Sequence, residues 1–215
     1  LNTVQGLLPG QTPLSSLVTP TPAGQPYNIA PWNYTGTEGA EWTDADYADS
    51  VVDWVLLSFR AGIEKSTEIA QVAALLHKDG RIEALDQCIL NTSMDLSAAY
   101  TIIEHRNHMG IMTPLSTGMS NGKLEHDFRT KDSYRDPTGF GQKSFGGAWV
   151  MYAGDMDQSD VPSFDITATD KFLWVNDNGK FSLYLNTDLN LDGDISGEDK
   201  TYWNENNGIS SRVPK

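Results

Sequence analysis

The chain has 215 residues, enough for one large domain or two small ones around a buried core. Its formal net charge of −14 gives a surface that repels phosphate backbones, which argues against nucleic acid as a partner. The single cysteine, Cys88, excludes an intrachain disulfide and reads as a small buried hydrophobe. No apolar run reaches the roughly 18–20 residues of a membrane span. The chain opens at Leu1 rather than Met and carries no signal peptide, which reads as a processed product.

Residues 1–27 form an arm without a charged side chain, in which Pro9, Pro13, Pro20, Pro22 and Pro26 favour extended chain. Its apolar residues (Val4, Leu7, Leu8, Leu14, Leu17, Val18) are too many for a plain linker. The expectation is docking on a neighbouring copy by strand addition, giving a self-associating filament or surface-layer subunit.

Residues 28–146 read as short strands separated by turns, an Ig-like antiparallel β-sandwich in a mainly β chain. Val51–Arg60 is apolar and β-rich. Ile69–Leu76 suits a strand or a short helix, Asp79-Gly80 is a hairpin-type turn before Arg81–Leu85, and another strand lies within Ala99–Met112. On a strand His105 and His108 face opposite ways, so a shared metal is not expected. Asp44, Asp46 and Asp49 read as a solvated loop. No G-x-S-x-G, P-loop or H-E-x-x-H occurs, and nothing in the chain argues for an enzyme.

From about Met151 aspartates crowd together, and residues 147–215 are expected to form a small α-helical calcium domain. Asp188, Asn190 and Asp192 stand at positions 1, 3 and 5 of a calcium-loop pattern. Gly193 follows at the turn, Asp194 offers its carbonyl, Ile195 anchors the loop and Asp199 closes the shell. Ca²⁺ takes about 6–8 hard oxygens, and this spacing supplies them from one short segment. A second, longer loop lies upstream, with Asp155, Asp157, Ser159, Asp165 and Asp170 as its candidate ligands and Ile166 in the place of Ile195. An aromatic segment follows each loop (Phe172-Leu-Trp174; Tyr202-Trp203), so the region reads as two repeats of one unit, a dockerin-like pair.

The segments 53–60, 73–82, 105–112, 151–157 and 188–214, with the entry 26–39, resemble the C-terminal region of large cell-surface proteins of Bacteroidetes-like bacteria, often labelled haemagglutinin- or adhesin-like. The resemblance covers residues 26–215 and implies an extracellular or cell-surface location and calcium loops, without an activity. The chain departs from that pattern at the first loop, where Ser159 and an insertion replace the usual Asp-Gly. Asp49-Ser50-Val51 resembles the motif such bacteria O-glycosylate, which makes Ser50 a candidate. Three functions follow: a calcium-stabilised structural module that self-assembles; an adhesin or carbohydrate-binding module using Trp32, Tyr34 and Trp42 as a stacking platform; or a dockerin bound to a cohesin-type partner.

Overall fold

A computed structural model describes residue 14 and residues 22–85, 98–116, 125–130, 133–145, 147–158 and 166–214. Cys88, Ser159 and Asp165 lie outside the described residues.

Strands β1 (Val51–Arg60), β2 (Glu68–His77), β3 (Ile82–Ala84), β4 (Tyr100–Glu104) and β5 (Ile111–Met112) form one antiparallel sheet in the order β3-β2-β1-β4-β5. The open choice at Ile69–Leu76 is settled by pairing: β2 runs antiparallel to β1 from Asp53↔Leu76 to Arg60↔Glu68. Ala and Leu carry little preference of their own, so the neighbouring strand decides. The hairpin closes at Gly80, whose φ of 82 is the left-handed turn that glycine adopts without a Cβ penalty.

The central strand is apolar almost throughout because both faces of the sheet are covered. On one face Trp54 and Leu56 pack with Ala73 and Leu75 beneath Tyr27 and Tyr47. On the other Val52 and Val55 pack with Ala74, Leu76, Ile103 and Ile111 beneath Phe128, Met151 and Leu191. The period of two along β2 separates these sets. Each buried Leu of this core is worth about 2–5 kcal/mol against Ala.

The mainly β, antiparallel reading holds. Among the described residues, however, the sheet faces aromatic coil on one side and, on the other, the hairpin of β8 (Gln142–Phe145) with β9 (Ala148–Met151) and the loop around Leu191. A further ribbon pairs β6 (Arg135–Asp136) with β7 (Gly139–Phe140). The boundary expected between 146 and 147 falls at the tip of the β8–β9 hairpin, and Leu191 shares a core with Val52 across it. Tyr27, at the end of the expected arm, is core. Leu14 is 1% exposed and packs with Tyr27 and Tyr47 of its own chain.

Among the described residues, two short α-helices follow the strands, α1 (Ala168–Asp177) and α2 (Gly197–Asn206). No helix among the described residues is long and apolar enough to cross a membrane.

Candidate metal centre

Each helix starts from the same local chemistry. Thr167 and Ser196 are N-caps whose hydroxyls accept from Thr169 N and Glu198 N, both at 3.1 Å. Three residues on, Asp170 Oδ2 accepts from Thr167 N and Asp199 Oδ2 from Ser196 N, both at 2.7 Å, completing two capping boxes. The remaining oxygen reaches back into the loop. Asp170 Oδ1 accepts from Met156 N at 2.6 Å and Asp157 N at 3.0 Å. Asp199 Oδ1 accepts from Leu189 N at 2.7 Å and, more weakly, from Asn190 N at 3.4 Å. One carboxylate thus caps a helix and closes a loop, twice over.

The two units are reciprocal. Trp174 Nε1 donates to Ser196 O, and Trp203 Nε1 donates to Thr167 O, both at 2.8 Å. Lys171 Nζ lies 5.4 Å from the Trp203 ring centroid, and Lys200 Nζ 5.4 Å from that of Trp174. Ile195 pairs with Gly179 and Lys180 behind α1, while Ile166 pairs with Gly208 and Ile209 behind α2. Their shared core holds Met156, Ile166, Trp174, Leu189, Ile195 and Trp203. The expected repeat is therefore a crossed pair, with each loop anchored on the chain behind the other unit's helix.

The first loop brings oxygens of Asp155, Asp157 and Asp170 within 4.8 Å of one another. Oxygens about 2.3–2.6 Å from a shared Ca²⁺ span no more than about that distance, so the set fits one hard cation. It is the one such three-residue set among the described residues. The second loop carries Asn190 where the first carries Asp157. In the second loop Asp188 Oδ1 and Oδ2 accept from Asp192 N at 3.1 Å and Gly193 N at 2.9 Å. Asn190 Nδ2 donates to Asp192 Oδ2 at 2.9 Å. Asp192 Oδ1 accepts from Asp194 N at 2.8 Å. The side chain of Asp194 turns to Ser182 N at 3.0 Å, which leaves its carbonyl for the role expected of it. Leu191 and Gln158 take matching left-handed conformations at φ 61 and 47.

Burial shapes the electrostatics. It pushes the Asp188 carboxyl up to about 8, with Arg106 opposing and Asp199 adding to the rise. It pushes Asp199 up to about 6 and raises Asp170 as well. Crowded, dehydrated carboxylates of this kind are stabilised in their charged form by a bound cation.

The weaker candidates fare differently. Trp32, Tyr34 and Trp42 do not form an exposed shelf. Each is half-buried against the core around Trp54. Trp32 meets Tyr27 edge-on at 4.9 Å, and Trp42 meets Tyr47 at 5.0 Å. Tyr34 donates to Glu38 at 2.5 Å. Ser50 is half-buried, and its hydroxyl lies 2.9 Å from His77 Nδ1. Asp46 accepts from Thr43 N and Oγ1, so that acidic stretch is a small capped turn.

His105 and His108 depart from the expected strand geometry. The chain bends after Glu104, and their rings meet edge-on at 4.8 Å. Beside them lies a cluster that the sequence reading missed: Asp53, Arg106, Tyr184 and Asn107. An aspartate inside the apolar run of β1 was its one visible signal.

No family model and no curated protein sequence matches the chain. It is similar to two solved structures, both mutants of a type II cohesin–X–dockerin complex from Acetivibrio cellulolyticus. For the N-terminal interface mutant the identity is 14%, the TM-score 0.41, and the coverage 73% of this chain and 82% of that one. For the C-terminal interface mutant these are 16%, 0.40, 72% and 82%. Overlap that slight does not establish a common fold.

Proposed function

We propose that this chain is an extracellular, calcium-stabilised module of a bacterial surface protein, in which two crossed loop–helix units each hold one Ca²⁺. The observation that carries the reading is the reciprocal construction of the units, each closed by an aspartate that also caps its helix. Asp155, Asp157 and Asp170 would hold one ion, and Asp188, Asn190, Asp192 and Asp199 the other, with backbone carbonyls completing each shell. Calcium would supply charge compensation and order, since binding free energy becomes folding free energy. The test is calorimetric melting of the full chain. At calcium about 100-fold above Kd, stability should rise by about 2.7 kcal/mol per site. A melting curve indifferent to excess chelator would contradict the reading.

A second reading, docking onto a cohesin-type protein, is favoured by one feature. Three of the exposed large apolar side chains lie on or just behind α1: Phe172 at 65%, Val175 at 54% and Phe181 at 72%. The positions matching Phe172 and Val175 on α2 are Thr201 and Asn204, so the apolar face is one-sided. Clusters of that kind mark interaction surfaces. Titration against a panel of cohesin modules tests it. Phe172→Asp should abolish any binding seen with the unaltered chain, and binding that survives the substitution would place the contact elsewhere.

A further inference from the structure

Residues 105–109 form a bend that touches the entry of both loops. Asn107, 0% exposed, sits at its centre. Its Nδ2 donates to the Asp188 carbonyl at 2.5 Å, and its own carbonyl accepts from Gly154 N at 3.0 Å. Each of these contacts meets a peptide unit held from its other side. The N–H of the Asp188–Leu189 peptide donates to Asp199 Oδ1, the loop-closing carboxylate. The carbonyl of the Ala153–Gly154 peptide accepts from Asn206 Nδ2 at 2.7 Å, at the end of α2. Gly154 has φ 129, and a Cβ there would come within 3.0 Å of the Ile166 side chain, so this approach requires glycine.

The bend itself is fixed. Asn107 Oδ1 lies 2.7 Å from His108 Nδ1, Met109 N donates to Tyr152 O at 2.9 Å, and Arg106 Nε bonds Asp53 on β1 at 2.9 Å. One close-packed element thus joins the two anchored peptides.

We propose that Asn107 is a positioning residue that couples the two calcium sites, so that filling either loop raises the affinity of the other. This rests on the calcium reading above. Allosteric coupling typically changes affinity by about 5–150-fold, and coupling through Asn107 should reach at least roughly fivefold.

Calorimetric calcium titration of the full chain tests it with Asp192→Ala, Asn107→Ala and the double variant. In the chain with Asn107, Asp192→Ala should remove one ion and weaken the remaining site roughly fivefold or more. In the Asn107→Ala background the remaining site should no longer respond to Asp192→Ala. Two independent sites in the unaltered chain would overturn the coupling while leaving the calcium reading intact, whereas no bound calcium at all would overturn the reading itself. A further arm leaves Asn107 in place, in case Asn107→Ala does not fold. In an Asp157→Ala chain, calcium entering the second loop should shift the Asn107 side-chain amide and Gly154 amide resonances. Resonances that stay fixed while that loop fills would overturn the proposal.

Discussion

Arg106 Nε donates to Asp53 Oδ2 at 2.9 Å, and both side chains are buried. Asp53 stands at a bulge in the β1–β2 register. There it also accepts from Trp54 N at 2.7 Å and Tyr184 Oη at 2.5 Å, with His105 Nε2 3.2 Å away. Burial opposes both charges. Arg106, followed by His105, outweighs it and holds the Asp53 carboxyl well below the usual carboxylate range. Arg106 lies over the Tyr184 ring at 4.1 Å and donates to the Leu185 carbonyl. The pair is thus the joint between the sheet and the chain that leads into the second loop.

Removing one member should leave a buried charge uncompensated. Asp53→Ala or Arg106→Met is expected to cost about 3–5 kcal/mol in urea denaturation, and the double variant less than the two single costs together. Strictly additive costs would contradict the pairing.

The crossed tryptophans carry a second expectation. Trp174→Phe and Trp203→Phe each keep a ring but strand a carbonyl, on Ser196 and Thr167 respectively. Each should cost about 1–3 kcal/mol, and the two costs should be similar. One large and one negligible change in thermal melting would show that the reciprocity is geometric only.

The raised carboxyls set a pH dependence for the ion-free chain. With Asp188 near 8 against an ordinary value of 3.8, the folded chain holds a proton that the unfolded chain has lost. That contribution is complete below the unfolded value and is lost as pH rises through the folded one. Asp199, near 6, is lost earlier. His77, lowered from 6.5 chiefly by burial, has completed its opposite contribution above that value. Chelated protein should therefore melt lower at about pH 8 than at about pH 6.5, and the gain from calcium should be larger at the higher pH. A chelated melting temperature that rises across this window would contradict the assignment.

Much of this arrangement was legible because it is local. The apolar run of β1, the Asp-Gly turn and the Asp188–Asp199 spacing lie within single segments, where composition and turn chemistry carry the signal, whereas Ile69–Leu76 stayed open between strand and helix until β1 paired with it. The double role of Asp170 and Asp199 was half visible, since Thr167-x-x-Asp170 and Ser196-x-x-Asp199 both carry a capping pattern. The joint was not legible, because Asp53 meets Arg106, and Asn107 meets Asp188, only after the sheet has formed. The histidine pair was misread for the same reason: the bend after Glu104 belongs to tertiary packing and leaves no mark on strand periodicity. Trp32 and Trp42 looked like a platform because composition does not say which aromatics cover a core.

The central claim is that the crossed units hold two calcium ions. Titrating the chelator-stripped full chain with calcium, with stoichiometry read by calorimetry and native mass spectrometry, tests it most directly. The account predicts two ions per chain, with one remaining in Asp157→Ala and one in Asp192→Ala. Absence of bound calcium, or a stoichiometry that neither substitution changes, would contradict it.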